Sequence, residues 1–182
     1  YAPHPHLPYF PSRLSSYLIV AGNPDVAIYF DGELLTYQIS GPGTAVVSAV
    51  MTWLMVAAVG FTLLAVTWRA RHTLTAVTFV PAASLALVMA LIAFNKVGSP
   101  QYFCWLIPPV LLGLLVDRVR FIPVAVISLA TLLVTQVIYP WMYDEVLLAT
   151  PVAVFWLTIR NLMELVVFAW ALRLVLHKPI ED

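Results

Sequence analysis

"FNKVGSPQYFCWLIPP", residues 94–109, sets a lysine, a glycine, a proline and a glutamine between two long apolar runs. Lys96 is the only basic residue between His72 and Asp117. The flanks, "LTAVTFVPAASLALVMALIAF" and "LIPPVLLGLLV", hold no charge at all. The stretch therefore reads as a polar break between two spanning helices, and composition supports that solvent. Hydrophobic residues make up 62% of the 182 and charged residues 10%, against about 45–50% and about 25% in soluble domains. The chain reads as a membrane protein. Its net charge of zero gives no reason to expect nucleic acid. Cys104 is the only cysteine, so no internal disulfide can form. The chain opens on Tyr1 without a signal-peptide pattern, and the expectation is the C-terminal part of a longer protein.

Working outward, five apolar runs stand out: Thr44–Thr67, Leu74–Phe94, Pro100–Val116, Phe121–Tyr139 and Leu147–Val175. A spanning helix needs about 20 residues. The third run is short, about 25 Å at the α-helical rise, and should start at the membrane edge. The fifth is long and should tilt or protrude. If the helices alternate, Arg69, Arg71, Arg118, Arg120, Arg173 and Lys178 share one side, while Arg13 and Lys96 share the other. The positive-inside rule then predicts a cytoplasmic C-terminus and residues 1–43 outside. Trp68, Tyr139, Trp141 and Tyr143 fall at the expected borders, where belt aromatics sit. The expected organisation is an extracytoplasmic segment 1–43, a five-helix transmembrane region 44–178 and a short tail 179–182. "WRARHT" and "DRVR" are too tight for a cytoplasmic active site, and no phosphate loop or dinucleotide fingerprint occurs.

In the outer segment, "YAPHPHLPYFP" is punctuated by prolines that disfavour helix before them. Leu14, Tyr17, Leu18 and Ala21 recur at helical spacing and predict a short interfacial helix. "VAIYFDGELLTYQI" gives two β-rich runs around Asp31-Gly32, a β-hairpin signal. "SGPG" breaks the chain before the first spanning helix. His4 and His6 have no cysteine nearby and no carboxylate before Asp25, so acceptor contact or a plain surface loop is preferred over metal binding.

Ser99 suits an N-cap and Pro100 the first helical position, where its missing N–H costs nothing. The N–H groups of Gln101 and Tyr102 would then point outward beside Lys96 and Gly98. Helix N-termini attract anions, and the occupant suited to this level is a lipid phosphate. The alternative is a snorkelling lysine before an ordinary helix start.

Those same residues resemble a known family. "FNKVGSPQYFCWLIPP" is similar to the motif of polyprenol-phosphate-mannose-dependent α-mannosyltransferases, membrane glycosyltransferases of the GT-C class. "YQISGPG" and "RNLMELVVFAW" are similar to segments of the bacterial enzymes of phosphatidylinositol mannoside and lipoglycan assembly. The resemblance is specific in Asn95–Trp105. It implies an all-α transmembrane fold that is the C-terminal part of a GT-C enzyme. Mannose would pass from a polyprenyl-phosphate carrier to a glycolipid or lipoglycan acceptor on the outer face, with inversion and no cofactor. The site would lie at the plasma membrane, or in the ER lumen of a eukaryote. Lys96, Gln101, Tyr102, Asn95 and Arg160 would bind the donor's lipid phosphate, and His4, His6 and Arg13 the acceptor. The family's outer loop often follows an arginine with a glutamine and a glutamate near "SRLSSYL". Only Arg13 matches, which leaves room for another acceptor.

The class places its catalytic carboxylate in an early outer loop. Among Asp25, Asp31, Glu33, Asp144 and Glu145 none carries a motif, so the base is expected outside this chain. In the last run Arg160 and Glu164 stand one turn apart beside Asn161, either as a structural ion pair or with Arg160 reaching a lipid-phosphate cavity. Pro108 and Pro109 should kink or thin the third helix. The rival reading is a non-catalytic membrane protein, a lipid transporter or a structural subunit. Transport would favour internal repeats, and none is evident.

Overall fold

A computed structural model describes residues 27–32, 36–41, 43–72, 76–95 and 98–177. The first elements are two short strands, β1 (Ala27–Asp31) and β2 (Thr36–Ser40), paired antiparallel with Ala27 opposite Ser40 and Asp31 opposite Thr36. Asp31 is thus the last paired residue of β1, and the strands are joined through 32–35 rather than by Asp31 and Gly32 alone. The chain then turns at Gly43, whose φ of 83° is left-handed and suits glycine. Thr44 Oγ1 donates to Gly41 O at 2.8 Å, fastening that turn. The expected interfacial helix at Leu14–Ala21 lies outside the described residues.

Four helices are long and apolar enough to cross a membrane: α1 (Thr44–Ala70), α2 (Ala76–Phe94), α4 (Arg118–Gln136, extended by a π turn to Trp141) and α6 (Pro151–Leu176). The chain is a multi-pass membrane protein. Its exposure pattern agrees with hydrocarbon as solvent. On α1 the buried residues are Thr44, Ser48, Thr62 and Arg69, while Trp53 is 72% exposed. A helix in water would do the reverse. Buried Thr62 and Thr135 satisfy their hydroxyls within their own helices, donating to Ala58 O and Thr131 O at 2.7 Å each, as suits polar groups in lipid.

The run Pro100–Val116 is shorter and wound in two ways, a 3₁₀ segment (Pro100–Leu106) followed by α3 (Ile107–Val116). Seven residues is long for 3₁₀ winding, and the prolines explain it. Pro108 and Pro109 have no N–H to give, and their rings exclude α-type placement of the carbonyls at 104 and 105. Ile107 N–H accordingly donates to Cys104 O, three residues back. The prolines overwind the turns before them.

α2 lies at the centre, packed against α1, α3 and α6. Ala82, Ala83, Ala86, Ala90 and Ala93 are buried along it, and small residues let membrane helices approach closely. Leu85, Met89 and Ile92 meet Phe103, Leu106, Val167 and Ala171 in the core. α3 and α4 approach closely at Gly113, where a Cβ would overlap the ring of buried Phe121. Asp117 caps α4 by accepting from Arg120 N–H at 3.2 Å. Arg120 Nη2 donates to Leu174 O at 3.2 Å and His177 O at 3.4 Å, tying the start of α4 to the end of α6.

The last run begins later than the sequence suggests. Residues Tyr143–Leu147 form a separate short helix, α5. It closes with Thr150 N–H on Glu145 O, Ala149 N–H on Val146 O and Ala149 left-handed at φ 49°, a Schellman stop. Thr150 then caps α6, its side chain accepting from Ala153 N–H at 3.3 Å, with Pro151 at the first position.

Candidate functional site

Residue 160 lies nine residues into α6, about 14 Å from the helix start. Its guanidinium is 2% exposed and Glu164 is fully buried. Arg160 Nη2 stands 3.2 Å from Glu164 Oε1, the one-turn spacing letting both heads meet on one face. The same Nη2 donates to Gly98 O at 3.3 Å. Phe103 of the 3₁₀ segment lies with its ring centre 5.2 Å from the guanidinium carbon, and Tyr139 of the π turn at 6.0 Å. A desolvated cation facing aromatic rings gains about 2 kcal/mol or more.

This draws together features that are far apart in sequence. Gly98 and Phe103 belong to the stretch that opens the third run, and Arg160 to the last. The ion pair lowers the cost of a charge at this depth, and the remaining donor capacity of Arg160 holds the backbone of the loop between α2 and the 3₁₀ segment.

The other expected site residues fall as follows. Asn95 is half-buried directly after α2. Gln101 is exposed in the first 3₁₀ turn, and Tyr102 is half-buried with its ring 5.0 Å from that of Trp105. Two expectations need correction. Ser99 takes the N-cap position in extended backbone, but its side chain makes no cap bond. Tyr102 N–H is not turned outward for a ligand, since it donates to Ser99 O at 3.3 Å. The cause is the winding: i to i+3 bonds leave fewer orphan amides than an α-helix does. Gln101 keeps the one first-turn N–H without a partner in the 3₁₀ pattern, because Pro100 has none. Lys96, His4, His6 and Arg13 lie outside the described residues, as do Asp25 and Glu33. Asp144 and Glu145 are exposed at the start of α5. Among the described residues no group of three or more His, Cys, Asp or Glu could hold a metal.

Sequence reading missed three members of the cluster. Phe103 was not singled out, Tyr139 was expected only as a border aromatic, and Gly98 only as a neighbour of Lys96. A backbone carbonyl as an arginine's partner leaves no residue-type signal.

Compared with protein-family models, curated proteins and solved structures, the chain finds no match.

Proposed function

We propose that this chain is part of a membrane glycosyltransferase that takes mannose from a polyprenyl-phosphate carrier and transfers it to a glycolipid or lipoglycan hydroxyl. The reading rests on the resemblance of Asn95–Trp105 to the mannosyltransferase motif. The observation that carries it further is the bond from Arg160 to Gly98 O, two residues past Lys96. In this reading Arg160 is a positioning residue. It fixes the loop from within the bundle, so that Lys96 and the Gln101 amide can meet the donor phosphate. A phosphate leaving group needs no general acid, since a fixed cation and an N–H can take up its growing charge. The acceptor hydroxyl needs a base, which the proposal assigns to another part of the protein.

The proposal includes five crossings of a GT-C-like fold, with the strand pair and the Gly98 loop on the outer side. Overwinding supports the third crossing. At about 2.0 Å per 3₁₀ residue and 1.5 Å per α residue, Pro100–Val116 reaches about 29 Å, close to the roughly 30 Å hydrocarbon thickness. The basic residues at the other ends of the helices support the orientation.

A second reading has its own observation. Arg160 and Glu164 neutralise each other inside the protein, as a purely structural fastening would, and this favours a non-catalytic subunit or transporter. Sugar transfer by the purified full-length protein, from polyprenyl-phosphate mannose to a glycolipid acceptor, decides between them. Lys96→Ala should fold normally and lose about 10²–10³ in turnover, the size of removing one charge-stabilising donor. Lys96→Arg should recover only part, a planar fork being a poor substitute for a compact ammonium. Undiminished transfer by folded Lys96→Ala would remove Lys96 from the site. Absence of transfer by the wild-type protein with this donor would favour the non-catalytic reading.

A further inference from the structure

One nitrogen of Arg160 serves two acceptors. Its Nη2 lies 3.2 Å from Glu164 Oε1 and 3.3 Å from Gly98 O. A carboxylate attracts a guanidinium more strongly than a neutral carbonyl does. An arginine also has many rotamers to lose on ordering. Left with these two acceptors alone, the group would settle along Glu164 and let go of the loop. A further contact has to hold it between them.

Two aromatic rings stand beside the guanidinium. Phe103, 5.2 Å away, belongs to the 3₁₀ segment and so moves with the loop that is being held. Tyr139, at 6.0 Å, comes from outside that segment, and its place is set by α4. Fully buried Ile138 anchors the π turn in the core. Next to it Tyr139 leaves helical geometry, with φ −124° and ψ 112°, the extended backbone expected ahead of a proline such as Pro140. The Tyr143 ring of α5 backs the Tyr139 ring at 5.6 Å. A π-type turn at the end of an α-helix often marks a functional site. Here it carries a half-buried ring to the buried cation of another helix.

We propose that Tyr139 is a further positioning residue: its ring holds the Arg160 guanidinium against Gly98 O, and through that bond it orders the backbone of residues 98–106. A desolvated arginine is attracted to an aromatic ring within about 6 Å, and its planar group packs on a ring as an ammonium does not. The turn that ends α4 thereby governs the loop that opens the third run. A part for Tyr139 in sugar transfer rests on the donor site proposed above; the ordering of the loop does not.

The test is amide hydrogen exchange of the purified protein in phosphatidylcholine nanodiscs, read by mass spectrometry for residues 98–106 and, as a control, for residues 116–120 at the other end. Exchange follows local opening. Tyr139→Leu should speed exchange in 98–106 about fivefold, the worth of one arginine–ring contact, and leave 116–120 unchanged. Tyr139→Phe keeps the ring and should stay near wild type. In the Arg160→Met/Glu164→Leu protein, Tyr139→Leu should add nothing, because its effect passes through Arg160. Should Tyr139→Leu not fold, Tyr139→Met, similar in bulk and without a ring, takes its place. Unchanged exchange in 98–106, an equal rise at both ends, or the same increment without Arg160 would overturn the proposal. In a transfer assay Tyr139→Leu should raise the donor KM about fivefold with kcat little changed, as for a lost binding contribution. Faster loop exchange with the donor KM unchanged would support the ordering role and count against the donor site at this loop.

Discussion

The guanidinium of Arg160 answers to two demands, neutralisation by Glu164 and a hold on Gly98 O. Removing either partner of a buried ion pair leaves an uncompensated charge, which costs about 3–5 kcal/mol. Arg160→Met and Glu164→Leu should each lose that much, and the combined variant should lose less than either alone. Denaturant titration of the three variants in one detergent measures it; equal or additive losses would contradict the pairing. Under the proposed function, the combined variant should also bind polyprenyl phosphate about tenfold more weakly than wild type. A hydrogen bond from a charged group contributes about 1.5–3 kcal/mol, here spent on fixing the loop. The pair itself was legible in the sequence, because one-turn spacing on a helix brings two side chains together. Gly98 was not legible as its partner. It lies 62 positions away and contributes a carbonyl, which every residue has.

Among the elements, the contact of α3 with α4 depends on the missing side chain at Gly113. Gly113→Ala should destabilise by about 1–3 kcal/mol through overpacking, outweighing the helix preference of alanine, near 1 kcal/mol. The overlapping group is the Phe121 ring, so Phe121→Leu should relieve part of the loss. A double-mutant cycle by thermal unfolding should show coupling above about 0.5 kcal/mol; strict additivity would mean that the two helices do not meet there. Apolar runs placed the long helices within a few residues of their ends, because hydrocarbon selects length and composition directly. Winding was harder to read. Ser99-Pro100 marked a helix start correctly, yet the segment is 3₁₀ as far as Leu106 because the constraint comes from prolines further along. The start of α6 moved to Pro151 because Thr150 and the Schellman stop of α5 decide it locally, within a run that is apolar on both sides.

Across the whole molecule the two ends of the bundle differ chemically. One gathers Arg69, Arg71, Arg118, Arg120 and Arg173, with Asp117 the carboxylate among the described residues there. The other carries the loop that Arg160 holds, next to the 3₁₀ segment. Hydropathy and charge bias made this polarity legible, since arginines collect at alternate helix ends. The inward reach of Arg160 was not legible, because it depends on how three helices pack. The proposed function requires that a polyprenyl phosphate engage the Gly98 end. The most direct measurement is photocrosslinking of the purified protein in nanodiscs with a polyprenyl phosphate carrying a diazirine beside the phosphate, followed by peptide mapping. The account predicts saturable label within residues 94–105, weakened by Lys96→Ala. Saturable label confined to the arginine end, or label in 94–105 unaffected by that substitution, would contradict it.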